Sequence, residues 1–103
     1  MDPNRTVNIG IQVLPLTEEA LPIIERAIAT LQANAQLNSD LTVEVGPLET
    51  TIEGPFEAAF DAAKAAHLAC IEAGADHVVT FIKIADGAGG SMTIEEKTAR
   101  YRE

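Results

Sequence analysis

Basic residues are scarce in this chain. Against 16 Asp and Glu, the 103 residues include only 7 Lys and Arg, a formal charge of −9. Nucleic-acid binding needs clustered Lys and Arg to displace counterions, and an anionic membrane repels an acidic surface, so neither partner is expected. Cysteine is scarcer still. Cys70 stands alone, which excludes an intrachain disulfide and leaves inert core packing as its reading. The aromatics are Phe56, Phe60, Phe81 and Tyr101. No run approaches the roughly 18 apolar residues of a membrane span. The polar start, MDPNR, reads as a loose terminus without the apolar stretch and cleavage site of a signal peptide. A cytoplasmic location is the expectation. Enzyme signatures are also missing: no GxSxG, HExxH or CxxC, and no histidine pair at metal-ligand spacing. No catalysis, cofactor or metal is therefore expected. The loop Gly87–Gly90, GAGG, lacks the lysine and the Ser/Thr helix start of a phosphate loop.

At 103 residues the chain is expected to be one domain, and periodicity gives its elements. Thr6–Leu14 alternates, with Val7, Ile9, Ile11 and Val13 on one face and Asn8, Gly10 and Gln12 on the other, the mark of a half-buried strand. Thr17–Asn34 predicts a helix with a stripe of Ala20, Ile24, Ala27, Ile28 and Leu31 and Pro22 in its first turn. Leu41–Val45 is a second strand. Leu48–Glu53 is a third, with Leu48, Thr50 and Ile52 on the apolar face and Glu49, Thr51 and Glu53 opposite; a bulge near Gly46 would exchange the two sets. Pro55–Ala73 predicts a second helix with Phe56, Phe60, Ala63, His67, Cys70 and Ile71 inward and Gly74 as its stop. His77–Ala85 is the last strand. Thr93 and Glu96 form a capping box for a short polar helix, which docks weakly or against another subunit. The order βαββαβ predicts an α+β, ferredoxin-like sandwich: a four-stranded antiparallel sheet with two helices on one face and the first and third strands central.

The uncovered face of that sheet then carries Gln12, Glu44, Glu49, Thr51, Glu53, Val79, Phe81 and Lys83. Such a face, apolar at Val79 and Phe81, suits burial against a second subunit, and a small domain gains from that burial. Its polar groups need partners: a bound ligand, or a Glu53–Lys83 ion pair. Three functions fit: a polar-ligand binder, a structural or regulatory oligomer without a ligand, and a small enzyme using Glu53 and His67. His67 itself reads first as a core histidine.

Three segments, IQVLPL (Ile11–Leu16), GPLETTIEG (Gly46–Gly54) and AAKAAHLACIEAGADHVVTFIKIAD (Ala62–Asp86), resemble the small thiamine-binding proteins of the MTH1187/YkoF type, formerly an uncharacterised protein family. The resemblance spans most of the chain. It implies a ferredoxin-like domain, sheet-to-sheet dimers and tetramers, and binding of thiamine or its hydroxymethylpyrimidine part without turnover. On that basis Glu53 and Glu44 balance the thiazolium charge, Gln12, Thr50 and Thr51 read the pyrimidine edge, and Phe81 stacks on a ring. Lys83 meets either Glu53 or a hydroxyl or phosphate end of the ligand.

Overall fold

The computed structural model describes residues 2–90, 93–99 and 101. Seven elements follow in order: β1 (Thr6–Pro15), α1 (Ala20–Leu37), β2 (Thr42–Val45), β3 (Thr50–Pro55), α2 (Phe56–Glu72), β4 (Val78–Ala85) and α3 (Ile94–Ala99). The four strands form one antiparallel sheet in the order β2-β3-β1-β4. This is the expected ferredoxin-like arrangement, with β1 and β3 in the middle.

Alternation along β1 decides the layers. Val7 and Ile9 are fully buried and Ile11 nearly so; with Ile52 they meet Ile23, Ala27 and Leu31 of α1 and the alanines of α2. Burying each large aliphatic side chain here contributes about 1.5–3 kcal/mol. Both long helices thus cover the same face, and Asn8, Gly10 and Gln12 turn to the other.

Two expectations about the helices need correction. The inward stripe of α2 is Ala59, Ala62, Ala63, Ala66, Ala69 and Cys70, whereas Phe60 and Ile71 are exposed. Small side chains let α2 approach both the sheet and α1 closely, and bulky ones are pushed to the flanks. In α1 the buried positions are Ile23, Ala27 and Leu31, whereas Ile24 and Ile28 are only half-buried. Gly74, at φ 106°, stops α2 as expected. The reversal lets Gly74 N–H donate to Ile71 C=O and Ala75 N–H to Cys70 C=O, each at 3.1 Å, which satisfies carbonyls the helix end would orphan.

The third strand starts later than expected. Gly46 N–H donates to Glu49 C=O at 2.9 Å, so Gly46–Glu49 is a turn, Leu48 is exposed in it rather than on the apolar strand face, and the ladder resumes at Val45 opposite Thr50. The register nevertheless keeps Thr51 and Glu53 on the uncovered face. The N-terminus is also less loose than its composition suggests. Arg5 forms a two-point ion pair with Asp86, and its guanidinium lies 4.9 Å from the Phe56 ring centroid.

Candidate functional site

Strand pairing arranges the uncovered face in rows, because partners across an antiparallel ladder point the same way. One row reads Thr42, Glu53, Asn8, Ala85; the next Glu44, Thr51, Gly10, Lys83; the third pairs Gln12 with Phe81. Lys83 therefore faces Thr51 across Gly10 and lies a full row from Glu53.

That offset settles two ion-pair questions. Lys83 Nζ bonds Glu49 Oε1 at 3.1 Å; the Glu53–Lys83 pair, one of the two arrangements open to these groups, does not form. Glu49 reaches back from the turn and lays its carboxylate over Gly10, where a Cβ would come within 2.8 Å of Oε2. Glu53 is engaged elsewhere: its Oε1 accepts the N–H of Ile94, the first residue of α3, at 3.0 Å. The expected capping box closes the same helix end, with Glu96 N–H donating to Thr93 Oγ1 at 3.0 Å and Thr93 N–H to Glu96 Oε1 at 3.3 Å. The C-terminal helix thus docks on its own sheet.

Two cavities among the described residues lie beside these groups. The open-face cavity, about 310 Å³, lies between the sheet and α3 and is bordered by Glu44, Glu49, Thr51, Lys83, Lys97 and Thr98 among others. The hairpin cavity, about 200 Å³, lies where the β2–β3 turn leans over β1 and α1. It is lined by Ile11, Val13, Ile24, Ala27, Ile28, Leu31, Val45 and Ala66 and by the turn residues Gly46, Pro47 and Leu48, with buried Thr50 as the polar side chain of the covered face. Glu49 also borders it, as does Gln12, whose exposed side chain belongs to the uncovered face. Small-ligand sites commonly have this make-up, apolar walls with a few placed polar groups.

The expected site residues therefore divide. Glu44, Thr51 and Lys83 border the open-face cavity, and Glu53 anchors the helix beside it. Gln12 and Thr50 border the hairpin cavity. Thr50 sits on the helix-covered face, 6% exposed, as its parity with Ile52 requires. Phe81 is 53% exposed and borders neither cavity. His67 shares a 2.6 Å hydrogen bond with Thr80 Oγ1 from the covered side. Glu53 is bonded on the uncovered side, so the sheet separates the imagined acid–base pair. Glu49 borders both cavities and was missed as a site residue. The signal lay in Gly10: a glycine inside an alternating strand marks a close approach, here by a carboxylate.

Among the described residues no group of three His, Cys, Asp or Glu side chains is placed to hold a metal ion, and no helix is long and apolar enough to cross a membrane.

Known proteins resemble this chain in sequence and in geometry. The chain is 32% identical over 99 residues to a UPF0045 protein of Clostridium perfringens, covering 94% of this chain and 98% of that one. A Bacillus cereus structure, a DUF77 domain of unknown function, superposes with a TM-score of 0.85 at 33% identity, over 97% of this chain and 93% of its own. A Thermotoga maritima structure, described as a candidate thiamine biosynthesis/salvage protein, superposes with a TM-score of 0.79 at 34% identity, over 94% and 99%. The model of one family, described as thiamine-binding protein, matches residues 9–102, a span that runs from the central strand through both cavities to α3. The chain belongs to the thiamine-binding protein family.

Proposed function

We propose that this chain binds thiamine, or its hydroxymethylpyrimidine part, without turning it over, and that it does so as a homo-oligomer, a dimer or tetramer, serving as carrier or sensor. The observation that carries this reading is the hairpin cavity, where buried Thr50 lies among aliphatic side chains and Gln12 and Glu49 border the opening beside the turn. An aminopyrimidine is flat, apolar on its faces and polar around its rim. Ile11, Ile24, Ile28 and Leu31 suit the faces, and the Thr50 hydroxyl suits the rim. The cationic thiazolium then lies toward Glu49 at the turn, where a carboxylate in partly screened surroundings attracts it. Family membership and the description of the Thermotoga relative support the same ligand class.

Titration calorimetry with thiamine, hydroxymethylpyrimidine and the thiazole half tests the proposal. Thiamine and hydroxymethylpyrimidine release heat on binding; Thr50→Val weakens both by about tenfold, the worth of one hydrogen bond, about 1.4 kcal/mol. No heat from either compound on folded protein defeats the proposal.

A ligand-free structural oligomer is the competing reading. Exposed Phe81 and half-buried Val79 on the uncovered face favour it. Self-association without any thiamine-dependent heat would decide for it.

A further inference from the structure

In an antiparallel strand, the N–H and C=O of successive residues point alternately to the two neighbouring strands. The bond from Leu16 N–H to His77 C=O, 2.9 Å, extends the β1–β4 register and directs the even-numbered residues of β1 toward β4. The bond from Phe56 N–H to Arg5 C=O, 3.1 Å, extends the β1–β3 register and directs the odd-numbered residues toward β3. Rungs on the β3 side reach Ile11 opposite Thr50 and stop. The next would join Val13 to Leu48, but Leu48 has left the ladder in the Gly46–Glu49 turn. On its β4 side β1 runs on to Pro15.

The N–H and C=O of Val13 therefore face the hairpin cavity, which this half-buried residue borders. A donor and an acceptor side by side in such a place favour any ligand that can pair with both. The next odd-numbered residue is Pro15, which has no N–H. The open edge is thus one rung long. Strand addition by a peptide uses successive rungs; a single rung matches one edge of a small planar molecule.

We infer that Val13 supplies this missing rung to the ligand. Its N–H donates to a ring nitrogen, and its C=O accepts from an exocyclic amine on the adjacent ring carbon. The recognised class is an aminopyrimidine edge. A ring with a carbonyl in place of the amine reverses both donor and acceptor, leaves both backbone groups facing like partners, and is rejected. This inference rests on the hairpin cavity being the binding site and names what that site reads.

The test follows the Val13 amide by NMR in the folded, nitrogen-labelled protein. Three probes are added in turn: hydroxymethylpyrimidine, a bare aminopyrimidine with the amine next to a ring nitrogen, and the analogue of the first with the amine replaced by a carbonyl. The two amino compounds move the Val13 resonance and slow its hydrogen exchange about tenfold or more, as a new hydrogen bond does; the carbonyl analogue does neither. The inference is overturned if an amino compound binds by calorimetry and leaves the Val13 amide unchanged. It is equally overturned if the carbonyl analogue binds as tightly, or if neither amino compound reaches Val13 at millimolar concentration. Protection by the bare aminopyrimidine without any binding of hydroxymethylpyrimidine or thiamine would uphold the Val13 rung and defeat the thiamine proposal.

Discussion

Glu49 and Lys83 meet across the central strand, Oε1 to Nζ at 3.1 Å, only because Gly10 lies between them. The carboxylate occupies the space a side chain would fill. Lys83 is 75% exposed, so water screens the pair and it contributes about 0–1 kcal/mol. A partner held so weakly is easily exchanged for a cationic ligand.

Removing the charge separates the two halves of the ligand. Glu49→Gln weakens thiamine binding about tenfold, about 1.4 kcal/mol, and leaves neutral hydroxymethylpyrimidine within about twofold. Lys83→Met frees the carboxylate and strengthens thiamine binding a few-fold. Calorimetry with both compounds on both variants checks this; equal losses for the two ligands would show that Glu49 does not sense charge.

Two glycines respond differently to a methyl group. At Gly10 the added Cβ meets the tip of a flexible Glu49, which swings away, and Gly10→Ala costs less than about 1 kcal/mol. At buried Gly54 the Cβ would come within 2.7 Å of Leu41 Cδ2 and 2.8 Å of the Asp40 carbonyl oxygen. Backbone does not swing away, and Gly54→Ala costs about 1–3 kcal/mol. Urea unfolding midpoints should rank the variants in that order.

The last helix depends on one carboxylate from another element. Glu53→Ala removes the acceptor of Ile94 N–H and loosens α3 by about 1 kcal/mol, while Glu53→Gln keeps an acceptor oxygen and holds it. Hydrogen exchange at the Ile94 amide reads the difference. Unchanged exchange in Glu53→Ala would mean that α3 is held by its capping box and packing alone.

Acid titrates the clamp between the two chain ends of the sheet. The hydrogen bonds from Arg5, and its charge, hold the Asp86 carboxyl below the usual carboxylate range. A carboxyl with a lowered folded pKa contributes stability in full above its unfolded value, about 3.9, and loses it as pH falls through the folded value. Asp86→Asn should therefore melt below the unsubstituted protein at neutral pH, with the gap closing below about pH 4. A gap that persists undiminished in acid would assign the effect to packing.

Cys70 should be inert. Burial pushes its thiol pKa up, and the side chain is fully enclosed. A thiol reagent at neutral pH should label it only through unfolding, at least about a hundredfold more slowly than in denaturant.

How much of this was legible beforehand depends on the range of each interaction. Val7, Ile9 and Ile11 announce a core face by alternation alone, and the capping box at Thr93 and Glu96 is a contact between near neighbours. The α2 stripe misled because periodicity treats Phe60 and Ala63 alike, whereas close helix packing admits only the small residue. The division of Gln12 and Thr50 from Thr51 and Lys83 was hidden because it depends on where the third strand enters the ladder.

By itself, then, the sequence determined the number of strands, their faces and the helices between them. Those follow from repeats of two and of three to four residues, which one segment expresses without help. Only the tertiary structure decided that Lys83 meets Glu49, that Glu53 holds α3, and that β1 outruns β3 beside the hairpin cavity. Each of these depends on the register between segments far apart in the chain, where a shift of one residue redirects every side chain and every backbone bond.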